Sequence, residues 1–206
     1  DYTKIENDLK TYTSAYRDAD FSDEYADGKG LTSEEYTKTK QKTLKSIYTY
    51  GGFYVGRYEA GTDTARKSSS AELTTAVIKQ NAYPYNYVTN AQAQELASEM
   101  TEKLLGYQSN LMFGVQWDLV LKYLETKATE QGSETIQDEL ITDSTNFGNY
   151  INSLYNITNE NSKYSTNNGS TWAEGFYEKT TSAPTILTTG ASEAFNKQRI
   201  YDLAGN

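Results

Sequence analysis

The chain contains no cysteine and no histidine, and both absences restrict its chemistry. Without cysteine it can form no disulfide and offers no thiolate nucleophile. Without histidine it lacks the side chain that most often acts as a general base near neutral pH, and transition-metal sites built from His and Cys ligands are excluded as well. Carboxylate, Lys, Tyr, Ser and Thr side chains remain for any chemistry.

Clustered positive charge and long apolar runs are also missing. The chain has 19 Lys and Arg residues against 28 Asp and Glu residues, for a net charge of -9, and its basic residues form no run. Nucleic acids and anionic membranes bind most strongly to clustered basic residues, so we expect neither as a partner. No apolar stretch approaches the roughly 18 residues of a membrane span, so we expect no membrane insertion by this segment.

Aromatic residues are abundant instead: 19 Tyr, 6 Phe and 2 Trp among 206 residues. Since aliphatic residues are few, these rings must carry much of the packing, and each tyrosine brings a hydroxyl that needs a partner. A chain rich in Tyr, Thr, Ser and Asn with an acidic balance is typical of extracellular, cell-surface or virion-associated proteins. Its length suits one large domain or a domain with an appendage.

Two threonines have the spacing of helix N-caps. Thr32 is followed by Glu35 and Thr89 by Gln92, and each pair forms a capping box that predicts a helix start. Glycines end the apolar pattern after each start. The predicted helices cover about 32–48 and 90–105, and a third includes the stripe Trp117, Val120 and Leu124.

The stretch 50–61 reads Y-G-G-F-Y-V-G-R-Y-E-A-G, and we interpret Phe53–Glu59 as a strand because β-branched and aromatic residues lie between glycines. Arg57 and Glu59 then share one face, and a buried hydrogen-bonded pair is the favoured interpretation over ligand contact. A second strand is predicted at Thr185–Thr189. Polar composition predicts a loop at 126–146 and an irregular surface segment at 151–183.

Three tyrosines, Tyr83, Tyr85 and Tyr87, alternate around Pro84 in an extended passage. If these tyrosines are exposed, they are suited to contact with a protein or glycan ligand. The alternative, which we favour, is that they pack against a sheet. Trp117 is expected in the core, and Asp118 is expected to accept hydrogen bonds at a helix N-terminus.

Six segments, in this order, resemble the bacterial branch of the sulfatase-modifying-factor family. That family includes the formylglycine-generating enzymes and relatives with a C-type-lectin-like fold. The segments are G-G-F-Y-V-G-R-Y-E-A-G (51–61), Y-V-T-N-A-Q-A (87–93), S-N-L-M-F-G-V-Q-W-D-L-V-L (109–121), F-G-N-Y (147–150), T-G-A-S-E (189–193) and I-Y-D-L-A-G-N (200–206).

The resemblance implies an α+β fold, a C-type-lectin-like domain with much irregular loop, over residues 47–206, preceded by an N-terminal helical extension over 1–46. In the family the final motif continues into further strands, so we expect this domain to be incomplete at its C-terminus. The resemblance also suggests a structural calcium role for Asp202 and Asn206, and no other cofactor. Its structural motif residues are Gly52, Arg57, Glu59, Gly61, Trp117, Asp118, Gly148, Asn149 and Gly205.

Three functions remain open. The first is a non-enzymatic binding or structural module that recognises a protein or glycan on a bacterial cell surface, a filament or a phage particle. The second is a metal-dependent oxidase of the formylglycine-generating type, which needs an active site that this chain, without Cys and His, would have to receive from a further segment. The third is a purely architectural role as a subunit of a homo-oligomer or filament.

Overall fold

A computed structural model describes residues 3–4, 7, 32–101, 106–112, 114–130, 139 and 144–205. The described chain is α+β, with helices and small antiparallel sheets of short strands. The helices are α1 (Ser33–Tyr50), α2 (Asn90–Glu99) and α3 (Gly114–Glu130), with 3-10 turns at Ser144–Phe147 and Glu193–Phe195. No helix in these ranges is long and apolar enough to cross a bilayer.

The strands are two or three residues long and pair antiparallel in four sheets. In chain order they are β1 (Gly61–Thr62), β2 (Tyr83–Pro84), β3 (Tyr155–Asn156), β4 (Lys163–Ser165), β5 (Ala173–Glu174), β6 (Glu178–Lys179), β7 (Ile186–Leu187), β8 (Asn196–Lys197) and β9 (Ile200–Tyr201). The sheets have the orders β1-β2, β3-β6, β5-β4-β7 and β8-β9.

The contacts divide the chain into two compact units. The first joins the described residues up to Val55 with Thr89–Tyr123, and the second joins Gly56–Val88 with the described residues from Leu124 onward. The predicted boundary after residue 46 falls inside α1, which continues to Tyr50. The assignment of 47–206 to one family domain stays a prediction, and most of the predicted N-terminal helical extension lies outside the described residues.

Both capping boxes are confirmed. The Thr32 hydroxyl accepts a hydrogen bond from the Glu35 N–H, and the Glu35 carboxylate accepts one from the Thr32 N–H at 2.9 Å. Thr89 and Gln92 form the same reciprocal pair. Gly51 ends α1 in the left-handed region at φ 80°, where its N–H bonds the Ile47 carbonyl. Such local patterns form because the orphan N–H groups of a first turn need acceptors close by in sequence.

Helix ends without a strong cap differ from prediction. Helix α2 ends at Glu99 rather than Leu105, and α3 extends to Glu130, so the predicted loop at 126–146 begins too early. Because α3 begins at Gly114, Asp118 lies beyond the first turn, and the prediction that it accepts hydrogen bonds at the helix N-terminus is wrong. Trp117 is only half-buried, whereas Val120 and Leu124 are buried.

The predicted strand at Phe53–Glu59 is wrong, because no neighbouring strand forms a ladder with it in the described chain. The strand lies just after it, where Gly61 pairs with Pro84 and also bridges Val77. A Cβ on Gly61 would come within 2.6 Å of the Ala82 side chain, so glycine is required for this approach. The segment 151–183 is also more regular than predicted, since it contains β3 to β6.

The core of the second unit is a cluster of buried apolar side chains that includes Leu187 of the 3-stranded sheet. Tyr155 meets the Phe195 ring edge-on, with ring centroids 5.0 Å apart, and Tyr164 stacks on Tyr177 at 4.3 Å. Leu187 is fully buried in the same cluster and belongs to β7, so the predicted strand within Thr185–Thr189 is confirmed. The cluster comprises Tyr155, Ile157, Leu187, Ala191 and Phe195, with Tyr164 and Tyr177 packed against it.

Two of the turn motifs found in the sequence contact each other. The Ala204 N–H donates to the Phe147 carbonyl at 2.9 Å, and the Asn149 N–H donates to the Gly205 carbonyl at 3.0 Å. Gly205 adopts φ 98°, which favours glycine. Residues 147–149 and 202–205 therefore form one hydrogen-bonded unit.

This contact predicts that Gly148→Ala destabilises the protein. An added Cβ would lie 2.5 Å from the Gly205 carbonyl oxygen and 3.0 Å from the Ala204 carbonyl carbon, both backbone atoms that cannot move alone. We expect a loss of about 1–3 kcal/mol in the free energy of unfolding, measured by urea denaturation. Gly52→Ala is the control, since nothing lies within 4 Å of its added Cβ. Equal denaturation midpoints for the two variants would contradict the prediction.

Candidate functional site

The three candidate tyrosines occupy different environments. Tyr83 is half-buried in β2, and Tyr85 uses its hydroxyl to bond the backbone N–H and carbonyl of Thr74 at 3.1 and 2.7 Å. Tyr87 is 41% exposed and has φ 55°, so the extended alternation stops before it. Arg66 bonds the Tyr87 carbonyl and lies over the Tyr85 ring, which fixes this turn. Only Tyr83 belongs to a candidate binding surface.

That surface is one face of the 3-stranded sheet. Lys163 and Glu174 are directly opposite each other on β4 and β5, so their side chains share a face. Trp172 precedes Glu174 by two residues and meets the Tyr83 ring edge-on, with centroids 4.7 Å apart. Ile186, opposite Ser165 on β7, lies on the same face. We call Tyr83, Lys163, Trp172, Glu174 and Ile186 the Trp172 face.

A charged pair borders the rings. Lys163 Nζ lies 2.7 Å from the Glu174 carboxylate and 5.9 Å from the Tyr83 ring centroid. The hydrogen bond to Glu174 raises the pKa of Lys163, and the same bond lowers the pKa of Glu174. Both groups are therefore charged at neutral pH. A half-buried aromatic pair beside an exposed ion pair offers apolar and polar contacts within one small surface.

The loop before Trp172 is held by its own side chains. The Ser165 hydroxyl accepts from the Gly169 N–H at 2.8 Å, and the Asn167 side-chain oxygen accepts from the Thr171 N–H at 3.0 Å. These Asx- and Ser-type turns rigidify a short polar loop. Because this loop directly precedes Trp172, it fixes the position of Trp172 beside the sheet. The indole Nε1 of Trp172 is buried and has no acceptor.

A second candidate site is a pair of carboxyl groups, the half-buried Glu59 and the buried Asp202. Asp202 is 3% exposed, and its Oδ2 accepts from the Gly190 N–H at 2.7 Å. Its other oxygen, Oδ1, and Glu59 Oε2 are both buried with no hydrogen-bond partner. The Asp202 side chain thus reaches back to residue 190, outside its own turn. The Gly205 N–H bonds the Asp202 backbone carbonyl.

Burial shifts both acids in the same direction. It raises the pKa of Glu59 to about 8, with a further contribution from the nearby Asp202 charge. Burial also raises the pKa of Asp202 to about 6, although the Gly190 hydrogen bond opposes that shift. Groups with such perturbed pKa values are concentrated at functional sites. The sequence pattern marked Glu59 only as a partner for Arg57.

The predicted Arg57–Glu59 pair is wrong. Arg57 is exposed, and no hydrogen bond or ion pair joins it to Glu59. Because residues 53–59 are not a strand, a spacing of two residues does not place the Arg57 and Glu59 side chains on one face. The Arg57 backbone matters instead, since its carbonyl accepts from the Tyr201 N–H at 2.8 Å.

The oxygen atoms of this pair fit a hard cation such as calcium, which prefers carboxylate and carbonyl ligands. Asp202 has one oxygen free for such a role, and Glu59 adds another. Asn206, the other calcium candidate, lies outside the described residues. Within the described part of the chain, no group of three or more Asp, Glu, His or Cys side chains could hold a metal ion.

Sequence reasoning missed a depression of about 360 Å³ beside β3 and β6. Lys179, 2% exposed, lies at its wall with Nζ 2.8 Å from the Tyr150 carbonyl and 5.5 Å from the centroid of the Tyr155 ring. Burial lowers the pKa of this lysine. No sequence signal marks it, because a single Lys in a polar segment is ordinarily solvated.

Comparison with known proteins adds no relative, since no family model, no curated protein and no solved structure matches the chain. The assignment of function therefore rests on the geometry of the two candidate sites.

The carboxyl pair predicts a stability that falls as pH rises. Both folded-state pKa values lie above the ordinary values of 4.5 for Glu and 3.8 for Asp. The folded protein therefore has its full stability from these groups below their ordinary pKa values of 4.5 and 3.8. That contribution is lost as pH rises through about 6 for Asp202 and about 8 for Glu59. In buffer with a metal chelator, we expect Glu59→Gln to reduce this fall between pH 5 and 8 by on the order of 2–4 kcal/mol.

The measurement is the free energy of unfolding of both proteins at each pH. Because the chain has no histidine, few other side chains titrate between these values. Asp63→Asn, an exposed carboxylate, is the control and should keep the wild-type slope. Parallel curves for the wild type and Glu59→Gln would contradict the prediction.

Proposed function

We propose that the chain is a non-enzymatic binding module that recognises a protein or glycan through the Trp172 face. The observation that carries the proposal is the half-buried pair of rings, Tyr83 and Trp172, bordered by the Lys163–Glu174 ion pair. Aromatic side chains dominate recognition energy because each offers a large apolar surface with few rotatable bonds. The adjacent Lys163 and Glu174 charges can orient a polar ligand on the rings.

The architecture of the site suits binding more than chemistry. The rings are carried on paired strands and on a loop braced by Ser165 and Asn167, so little ordering is needed when a ligand arrives. Pre-organised surfaces lose less entropy on association. Neither Lys163 nor Glu174 is buried enough to be tuned as an acid or base, because each keeps the charge it has in water.

We further propose that the fold is a C-type-lectin-like domain of the sulfatase-modifying-factor type, displayed on a cell surface, a filament or a virion. Mutual contact among the motifs supports this. The F-G-N-Y turn bonds the D-L-A-G-N turn, and the T-G-A-S-E segment bonds both Asp202 and the backbone around Ala82. Segments shared with a family are expected to form its common framework.

An architectural role is the second candidate, favoured by three exposed tyrosines. Tyr48, Tyr50 and Tyr54 are 74%, 83% and 94% exposed at and just beyond the end of α1. Exposed aromatic side chains grouped within seven positions of the chain are suited to contact with another copy or another subunit. A concentration-dependent mass in light scattering that Tyr50→Ser and Tyr54→Ser abolish would favour this role.

The binding proposal predicts a strong effect of Trp172→Ala. With the rings at the centre of the contact, we expect at least about a 30-fold loss in affinity for a ligand selected from arrays of immobilised glycans and surface proteins. Titration of each variant is followed by isothermal titration calorimetry, which does not depend on a tryptophan signal.

Leu154→Ala is the matched control, because this apolar side chain is 58% exposed and precedes β3, which belongs to a different sheet from the Trp172 face. It should change affinity less than about threefold, as is usual for contacts outside a hot spot. Circular dichroism of Trp172→Ala must match the wild type for the comparison to apply. Affinity within threefold of the wild type for a folded Trp172→Ala protein would reject the Trp172 face as the binding site.

A further inference from the structure

The depression beside β3 and β6 contains a buried positive charge that no carboxylate balances. Lys179 is 2% exposed, and its Nζ donates to the Tyr150 carbonyl at 2.8 Å. Among the residues that the structure describes, no Asp or Glu side chain forms an ion pair with Lys179. A carbonyl oxygen carries only a partial charge, whereas a buried ammonium group is ordinarily paired with a full negative charge. Burial accordingly lowers the pKa of Lys179, as expected for a cation without an anionic neighbour.

A second buried group in the same place lacks a partner. Tyr155 is directly opposite Lys179 in the β3–β6 pair, so the two side chains share one face of this ribbon. Lys179 Nζ lies 5.5 Å from the centroid of the Tyr155 ring. Tyr155 is 5% exposed, and its hydroxyl forms no hydrogen bond with any described residue. A buried tyrosine hydroxyl ordinarily has a partner, so this one is available to a ligand.

The depression has room for a small ligand beside these two groups. Its volume is about 360 Å³, near the lower end for ligand sites in proteins. Tyr155 and Lys179 are buried members of its wall, and Asn156 and Glu178 are exposed members. The Lys179 ammonium group has three N–H donors, of which the Tyr150 carbonyl uses one. Two ammonium donors and the tyrosine hydroxyl therefore remain for the oxygen atoms of a ligand.

The charges around the depression favour a singly charged anion. One ammonium group balances one negative charge, and the exposed Glu178 carboxylate belongs to the same wall. The whole chain has a net charge of -9, which further opposes a doubly charged anion such as sulfate. A carboxylate presents two coplanar oxygen atoms that can accept hydrogen bonds from two different donors. It therefore matches both the charge and the donors of this wall.

We propose that Lys179 and Tyr155 form a binding site for a small monocarboxylate. One carboxylate oxygen accepts a hydrogen bond from Lys179 Nζ, and the other accepts one from the Tyr155 hydroxyl. The ligand thus supplies the negative charge that the described residues do not. Because β3 and β6 belong to a different sheet from the Trp172 face, failure of this site would leave the binding proposal intact.

The test is a titration of the full chain with sodium propionate at constant ionic strength, followed by NMR of lysines labelled with carbon-13 at Cε. We expect a dissociation constant of about 1 mM, because so small a ligand makes few contacts. The Lys179 signal, identified by its absence from Lys179→Arg, should shift, and the pKa of Lys179 should rise when the carboxylate binds. Affinity should fall as pH rises through that pKa, since a neutral amine cannot balance the ligand charge. Burial raises the pKa of Tyr155, so its hydroxyl keeps its proton over this range.

Two variants and one control distinguish this site from a general effect of salt. Lys179→Met should abolish binding without loss of stability, because an apolar side chain of similar volume tolerates burial. Tyr155→Phe keeps the ring in the core and should weaken binding about tenfold, since one hydrogen bond to a charged group is lost. Lys79→Met, which removes an exposed lysine, should change affinity less than about twofold.

Two further ligands identify the chemical class. Sodium sulfate should bind at least about tenfold more weakly than propionate, since its second charge meets no cation. N-acetylglycylglycine presents the same group as a peptide terminus, and the tighter of the two carboxylates identifies the source of the ligand. Tyr155→Phe is the deciding variant if Lys179→Met fails to fold. An unshifted Lys179 signal with propionate, unchanged affinity in either folded variant, or tighter binding of sulfate would overturn the proposal.

Discussion

The second unit depends on one buried backbone segment, residues 187–192. All six residues are buried, and the side-chain-bearing ones are at most 1% exposed. Their polar groups form hydrogen bonds with several other parts of the chain. The Thr189 backbone exchanges hydrogen bonds with residues 81 and 82, and the Ala191 carbonyl accepts from residues 158 and 159. A buried backbone must satisfy every N–H and carbonyl, so each bond constrains another part of the chain.

Side chains of this segment complete that network. The Thr188 hydroxyl accepts from the Lys163 N–H at 2.9 Å, and the Thr189 hydroxyl donates to the Lys79 carbonyl at 2.6 Å. The Ser192 hydroxyl donates to the Asn156 carbonyl. Small hydroxylated residues therefore replace the long ladders of a regular sheet, which explains how strands of two or three residues persist. Both candidate sites are held by this segment. Thr188 bonds the backbone of Lys163 in the Trp172 face, and the Gly190 N–H bonds the carboxylate of Asp202.

The sequence allowed prediction of whatever depends on near neighbours. The Thr32 and Thr89 capping boxes need only residues three positions away, and the β7 strand follows from a short apolar run. The strand at 53–59 was wrong because pairing depends on partners distant in sequence, which composition does not specify. Predicting the Trp172 face would have required knowing the register of β4 against β5. Both strands lie in a polar segment without periodicity, so the sequence does not indicate that register.

Glu59 illustrates why a buried acid is hard to place from sequence. Its neighbour Arg57 offered a plausible ion pair, and such pairing is the usual way to bury a carboxylate. The fold instead brings Glu59 to Asp202, 143 positions later in the chain, through the Tyr58–Tyr201 stack. Since that stack and the Gly190 hydrogen bond are independent of carboxylate charge, the framework can hold the two acids together despite their repulsion. At low pH a proton neutralises each acid, and burial favours that neutral form by raising both pKa values.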